Sequence, residues 1–410
     1  MSVNVYESLG LRTSINAKGP ATRLSGGVMR PEVTSAMADA ARHCVDMAEL
    51  QAVASSAIAE VTGAEAGYVA SGAAACLLLA TAACVAGLEP SRMSRLPDTS
   101  GMKDEVVVVR SQRNFYDHAV RAAGVRLVEV GLPDRYAGAG VRDAEPWEIA
   151  DAIGNRTAAV FYVADRYSRP ALPQVIAVAH AAGIPVIVDA AAQLPPQANL
   201  RRFIAEGADL VAFSGGKAIG GPQATGILCG RHDLIMSAAL QHLDHDIFWE
   251  QWSPPGTLID KSRLRGVPHH GIGRPCKVGK ESIVGLLTAL RIFVGEGDAP
   301  RHRRWLDLAK GLAMQIDGRI GAEVILNGAD DIEEVPTVDL VLGHDRTRQA
   351  LDLVVALQNG GPCIHADPTR VDRGIVTFNP VCLGADDIAD IATALRQFLP
   401  PLDTLGRSIS

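Results

Sequence analysis

Three short segments of the 410-residue chain carry side chains whose types and placement could do chemistry together. The first is Ser71-Gly72-Ala73-Ala74, where the apolar run Gly67-Tyr-Val-Ala70 gives way to an alanine-rich stretch reaching Ala86. A strand that turns into a helix there leaves the first helical N–H groups unpaired, and they attract an anion such as phosphate. An ordinary serine N-cap followed by a turn glycine is the competing reading. The second segment, Ile184-Pro-Val-Ile-Val-Asp189, ends an apolar run with a carboxylate. Ligands gather at the carboxyl ends of strands in open parallel sheets, and an aspartate there can hold a protonated ring nitrogen by a charge-assisted hydrogen bond. Its alternative role is N-cap for a helix over Ala190–Gln193. The third, Ala208-Asp-Leu-Val-Ala-Phe-Ser-Gly-Gly-Lys217, delivers a lysine past Ser214 into a loop that also holds Gly220 and Gly221. Such a lysine becomes an amine nucleophile when desolvation and neighbouring charge lower its pKa, whereas a solvated lysine in a glycine loop does nothing.

The combination is more specific than its parts. Asp189 follows Ser71 by 118 positions and Lys217 follows Asp189 by 28. A phosphate cup, a carboxylate for a ring nitrogen and an amine for an aldehyde are the three attachments that pyridoxal 5'-phosphate needs. On Ile15-Asn-Ala-Lys-Gly19, Ser71-Gly-Ala-Ala-Ala75, Val188-Asp-Ala-Ala-Ala-Gln193, Phe213-Ser-Gly-Gly-Lys-Ala-Ile-Gly-Gly-Pro-Gln223 and Gly271-Ile-Gly-Arg-Pro-Cys-Lys-Val-Gly-Lys280, the chain resembles the fold-type I pyridoxal-phosphate enzymes. Within them it is similar to the selenocysteine synthase-like group that includes D-glucosaminate-6-phosphate ammonia-lyase. The resemblance spans most of the chain, and the Lys217 segment is its most diagnostic part. It implies an α/β fold with a mainly parallel, seven-stranded sheet in a large domain and a smaller C-terminal α+β domain. It also implies Lys217 bound to the cofactor aldehyde, Asp189 on the pyridinium, and Ser71, Gly72, Ala73 and Ser214 on the phosphate, with Gln193 near the phenolic oxygen.

In such enzymes an aromatic or imidazole side chain usually covers the ring face. Gln112-Arg-Asn-Phe-Tyr-Asp-His118 offers several candidates, with His118 placed first and a helix-surface histidine as its alternative. Arg274 and Lys277, in the glycine-rich loop after His269-His270, could reach the cofactor phosphate from this or a neighbouring subunit, or a substrate anion. Solvated loop charges are the other reading. An arginine of the C-terminal domain commonly clamps the substrate carboxylate, and Arg370 is the first choice here, ahead of Arg373 and of Arg12 and Arg23 in the N-terminal arm. Cys363–Arg370 matches no family pattern cleanly. Cys276 stands where relatives tend to carry methionine and is read as a packing residue. No metal site is expected.

The elements that must position these residues alternate in type. Strands are expected at residues 67–71, 105–110, 125–130, 158–163, 184–189, 210–214 and 225–229, with helices over 48–62, 73–86, 115–123, 146–153, 172–182 and 200–207. Apolar, β-branched strands separated by helices imply a largely parallel sheet covered on both faces. Beyond about residue 275, helices at 279–294, 302–316, 346–358 and 386–399 mix with short strands at 324–326, 339–342, 363–366 and 375–378. The expected organisation is an arm and first helix over 1–47, a large domain over 48–278, a small domain over 279–400 and a tail from 401.

Composition narrows the partners. Thirty-nine Lys plus Arg against 46 Asp plus Glu give a net charge of −7, unfavourable for coating nucleic acid or an anionic membrane. The uncharged stretch Gly67–Leu88 is long enough to be tested as a membrane span, but it is alanine-rich, broken by Ser71 and Gly72, and lacks an aromatic belt. Seven cysteines without a CxxC pair, and an N-terminus without a signal-peptide pattern, suggest a reduced, cytoplasmic protein. The expected activity is a lyase that releases ammonia by α,β-elimination from a hydroxylated or β-substituted amino acid, acting as a homo-oligomer. An amino-acid racemase or epimerase is the alternative, with selenium transfer to seryl-tRNA and a non-catalytic relative behind it.

Overall fold

The computed structural model describes residues 4–132 and 143–400, so the tail expected from residue 401 lies outside the described residues. Among the described residues twelve strands run in chain order: β1 Ser14–Ala17, β2 Ala66–Ala70, β3 Glu105–Val109, β4 Arg126–Val130, β5 Thr157–Val163, β6 Val186–Asp189, β7 Leu210–Ser214, β8 Gly226–Gly230, β9 Glu323–Asn327, β10 Thr337–Val341, β11 Cys363–Ala366 and β12 Ile375–Phe378. Two compact units result, one of residues Met29–Val294 and one of the described residues up to Val28 with those from Gly295 onward.

The larger unit is built on a seven-stranded sheet of order β2-β8-β7-β6-β5-β3-β4. Strands β3 to β7 are parallel to one another, and β8 runs antiparallel to both β2 and β7. The reversal follows from loop length: a parallel crossover needs a dozen or more residues, usually with a helix, and the glycine-rich connection 215–225 can only turn back. Alternate residues serve the two faces, as a period of two requires. Val106 and Val108 of β3 join a core with the helices Ala73–Ala86 and His232–His242, and Val107 and Val109 join a core with the helices Met47–Thr62, Leu172–Ala181 and Lys280–Glu296.

The uncharged stretch resolves into β2, a turn and the helix Ala73–Ala86, of whose 14 residues 11 are buried. A helix that is apolar all round belongs inside a protein. Among the described residues no helix is long and apolar enough to cross a membrane.

The smaller unit holds the antiparallel sheet β12-β10-β9, the parallel pair β1-β11, and the helices Asp298–Ile316, Thr347–Asn359 and Ala385–Phe398 around their own apolar core. The division is wider than the 48–278 span expected of the large domain, for a packing reason. β1 pairs with β11 and so draws the start of the arm into the C-terminal unit. Val33 of the helix Pro31–Ala40, and Ile283 to Phe293, are buried in the larger core instead.

Candidate active site

Strand register brings the three segments to one edge of the large sheet. Ala70 and Ser214 both pair with Gly226, Ala212 pairs with Asp189, and Asp189 pairs with Val163. The carboxyl ends of β2, β7, β6 and β5 therefore lie side by side around the start of β8, each roughly 4.8 Å from its neighbour.

At the end of β2 the chain passes Ser71 and enters the helix through Gly72, whose φ of +113° is one that L side chains rarely adopt. Among the described residues no side chain caps this helix, so the N–H groups of its first turn are open to an anion. Gly226 packs directly against the turn: a Cβ there would lie 2.4 Å from the carbonyl carbon of Gly72 and 2.6 Å from the nitrogen of Ala73. Ser71 is half-buried and its hydroxyl donates to the carbonyl of Cys276 at 2.7 Å, tying the Gly271–Lys280 loop to the cup.

Asp189 is 8 % exposed, and its Oδ1 accepts from the N–H of Ala191 at 3.0 Å. The segment after it is a turn, and the next helix begins only at Asn199, so Asp189 caps no helix. Oδ2 makes no hydrogen bond among the described residues. Burial pushes this carboxyl above the usual range, against the opposing pull of the Ala191 N–H and the Lys217 charge. Lys217 is half-buried on the turn between β7 and β8, where Gly216 lies so close to Gln223 that a Cβ would fall 2.6 Å from its Cα. Among the described residues its amine makes no hydrogen bond or ion pair. Burial pulls that amine below the ordinary lysine value, opposed by the negative charge of Asp189. Ser214 is half-buried at the end of β7. Gln193 is half-buried, with its backbone carbonyl accepting from Asn199 at 2.7 Å and its side-chain amide unbonded among the described residues.

The other expected residues are placed differently. His118 is exposed on the short helix Asp117–Arg121, with Nδ1 2.9 Å from the Arg121 guanidinium, and Phe115 and Tyr116 are also exposed. From the same segment Gln112 and Asp117 turn inward; Gln112 is buried, and its Oε1 accepts from the N–H of Val163 at 3.0 Å, on the strand beside Asp189. A glutamine three positions past the four-valine run of β3 was the available signal, and sequence reasoning passed over it in favour of the ring-bearing residues. Arg274 donates to the carbonyl of His242 at 2.9 Å and pairs with Asp244 at 2.8 Å, while Lys277 is exposed and unpaired among the described residues. Cys276 is half-buried against the apolar core, and burial pushes its thiol up, in keeping with packing. In the smaller unit Arg370 donates to the buried Asp339 and to the Thr377 hydroxyl, and Arg12 donates to the carbonyls of Gln358 at 2.7 Å and Gly360 at 3.1 Å. Arg23 and Arg373 are exposed, and their side chains make no hydrogen bond among the described residues.

These residues fit pyridoxal phosphate: an uncapped helix start closed from below by Gly226, a buried carboxylate with one oxygen open, and a desolvated amine without a partner. Comparison with known proteins agrees. Residues 28–245 match the SelA family, L-seryl-tRNA selenium transferase. The chain is 32 % identical over 405 residues to the 5'-C-glycyluridine monooxygenase-decarboxylase of a Streptomyces species, covering 96 % of this chain and 92 % of that one. It is 29 % identical over 419 residues to the D-glucosaminate-6-phosphate ammonia lyase of Salmonella typhimurium, covering 97 % and 98 %. The solved structure of D-glucosaminate-6-phosphate ammonia-lyase superposes with a TM-score of 0.78 at 28 % identity over 97 % of this chain and 98 % of that one. A serine palmitoyltransferase, with a TM-score of 0.54 at 14 % identity over 94 % of this chain and 87 % of that one, shares the fold. By profile, full-length relatives and architecture together, the chain belongs to the SelA family within the fold-type I pyridoxal-phosphate enzymes.

Proposed function

We propose that this enzyme is a pyridoxal-phosphate-dependent lyase that removes ammonia by α,β-elimination from an amino acid bearing a hydroxyl or other leaving group on Cβ, releasing a 2-oxo acid. The observation that carries the reading is the unpartnered, half-buried amine of Lys217 beside the buried carboxylate of Asp189. The substrate class is an amino acid on a sugar-derived skeleton, because both glucosaminate 6-phosphate and glycyluridine, named for the two full-length relatives, are of that kind. Selenium transfer to tRNA is disfavoured by the net charge of −7.

Lys217 would hold the cofactor aldehyde, Asp189 its ring nitrogen, and the turn at Ser71, Gly72 and Ala73, with Ser214, its phosphate. Gln193 is assigned to the phenolic oxygen, and His118 remains the first choice for a ring-face residue only if a second copy covers its exposed helix. Pyridoxal phosphate, when bound, supplies an electron sink for the pair left behind when Cα of an attached amino acid loses its proton. Asp189, buried and negatively charged, keeps a proton on the ring nitrogen. Lys217, once displaced by the substrate amine, takes the Cα proton through Nζ, a role that burial favours by lowering the cost of its neutral form. The same ammonium then stands ready to protonate the departing Cβ hydroxyl. Water returns at Cα to release ammonia, so water lost in elimination is regained in hydrolysis. Lys277 and Arg274 are assigned to anionic groups, and Arg370 to the substrate carboxylate only if it leaves Asp339.

The enzyme would work in the cytoplasm as at least a homodimer. Exposed apolar side chains support association: Val5, Tyr6, Leu9 and Leu11 on the arm, and Phe115 and Phe248 on the larger unit. The decisive experiment incubates the loaded enzyme with D- and L-serine, threonine and sugar-derived 2-amino-3-hydroxy acids while following 2-oxo acid, ammonia, optical rotation, carbon dioxide and dioxygen. Ammonia with 2-oxo acid supports elimination. Rotation lost without ammonia would make the enzyme a racemase, and carbon dioxide release with dioxygen uptake would align it with the Streptomyces relative.

A further inference from the structure

A hydrogen-bonded chain runs out of the core to the phosphate cup, and the reaction above makes no use of it. Tyr68, in the middle of β2, is fully buried and places its hydroxyl 2.8 Å from Nδ1 of His242, in the last turn of the helix His232–His242. Nε2 of His242 lies 2.8 Å from the carbonyl oxygen of Cys276. That oxygen also accepts from the Ser71 hydroxyl at 2.7 Å. A carbonyl can only accept, so the ring proton of a neutral His242 sits on Nε2, and Nδ1 must be the acceptor for Tyr68. Every proton along the chain is thereby assigned, and both lone pairs of the Cys276 carbonyl are used. Burial pulls the His242 imidazole below its ordinary range and pushes the Tyr68 phenol far up, and the nearby Arg274 cation further disfavours a charged ring. Three more contacts press the same loop on the same helix. Arg274 donates to the His242 carbonyl at 2.9 Å, the Gly273 N–H donates to the Gln241 carbonyl at 2.9 Å, and a Cβ on Gly271 would fall 2.4 Å from Gln241 Cα.

We propose that His242 is a positioning residue which, with its tautomer set by Tyr68, holds the Cys276 carbonyl and hence the Gly271–Lys280 loop against the cup, leaving the Ser71 hydroxyl able to change partner. The inference rests on the reading of Ser71 to Ala74 as the cofactor's phosphate cup. Ser71 has one proton to donate, and while it points at Cys276 it offers none to a phosphate. When a phosphate fills the cup the hydroxyl turns to it, and the Cys276 carbonyl keeps His242 as its donor. Without His242 the same turn strips the carbonyl of the half-buried Cys276 of its last protein partner, and phosphate affinity drops by the cost of leaving it unpaired.

The experiment compares wild type, His242→Leu, His242→Gln and Tyr68→Phe by equilibrium dialysis of pyridoxal phosphate and of pyridoxal, with hydrogen–deuterium exchange of residues 271–280 in the cofactor-free proteins. His242→Leu should weaken pyridoxal phosphate about ten-fold or more, the loss expected of one buried hydrogen bond with its acceptor stranded, and pyridoxal no more than about two-fold. Exchange in 271–280 should rise with it. His242→Gln, which again offers an N–H to Cys276 and an oxygen to Tyr68, should recover most of both effects, and Tyr68→Phe should show a smaller change in the same direction. Equal weakening of both ligands, or an unchanged loop, would overturn the assignment. If the leucine variant shows no cooperative melting, the phenylalanine variant decides, and an unchanged ratio of the two affinities there refutes the proposal. A wild type that binds neither ligand would defeat the cofactor reading by itself, and the exchange comparison would still decide the latch.

Discussion

Replacing Gly226 by alanine adds one methyl group at the point where β8 passes under the phosphate cup. The new carbon would start 2.4 Å from the Gly72 carbonyl carbon and 2.6 Å from the Ala73 nitrogen, and Cβ atoms essentially never approach heavy atoms closer than 3.0 Å. Both neighbours are backbone, so no side chain can swing away, and the turn into the helix Ala73–Ala86 must move outward by half an ångström or more. Overpacking of this kind costs about 1–3 kcal/mol of stability. The sharper consequence is local, because the displaced N–H groups are those assigned to the cofactor phosphate. A hydrogen bond to a charged group contributes about 1.5–3 kcal/mol, so misaligning one weakens pyridoxal phosphate by about ten- to a hundred-fold. Pyridoxal, which lacks the phosphate, should bind within about two-fold of wild type. Equilibrium dialysis of both ligands against both proteins, with a thermal melt to confirm folding, is the assay. Undiminished pyridoxal phosphate affinity in a folded Gly226→Ala protein would refute the placement of the phosphate at this turn.

Lys217→Ala should lower turnover by about a thousand-fold or more, since it removes the base and the covalent anchor together, while cofactor still binds without the visible absorbance of a lysine imine. Retained turnover by coupled ammonia assay would exclude the role. Asp189→Asn should cut the rate by about a hundred-fold or more, measured in the same assay. The same substitution carries a pH signature. Because the folded-state pKa of Asp189 is raised above 3.8, its contribution to stability is complete below that value and is lost as pH rises through the folded pKa. The cofactor-free Asn variant should therefore melt above wild type at neutral pH, with the gap closing in acid; a gap independent of pH would contradict the burial argument. Sedimentation velocity should find at least a dimer, and a fully active monomer at low concentration would count against the association inferred from the exposed apolar arm.

Much of the large unit was legible along the chain because its strands are short apolar runs set off by glycine and helical periodicity. The run 105–110 became β3 and the run 210–214 became β7 for that local reason. Lys217, Asp189 and the Ser71 turn were legible for the same reason: each stands at the end of such a run, where a parallel sheet opens to ligands. Periodicity does not say which strands are neighbours. The insertion of β8 between β2 and β7, which places Gly226 under the cup and sets Ser71 two strands from Ser214, needs the pairing of β2 with β8, between residues more than 150 positions apart, as well as the local hairpin of β7 and β8. Nor does it say which polar group of a segment turns inward, and so Gln112 rather than His118 is buried beside β5. The link from Tyr68 through His242 and Cys276 to Ser71 spans three separate elements, and no spacing rule joins them. The sequence by itself determined the kinds of element and the chemical groups at their ends, since these depend on residue type and local period. Only the tertiary structure decided which of those groups lose their water and which find partners, because burial and hydrogen bonding are properties of neighbours brought together from distant parts of the chain.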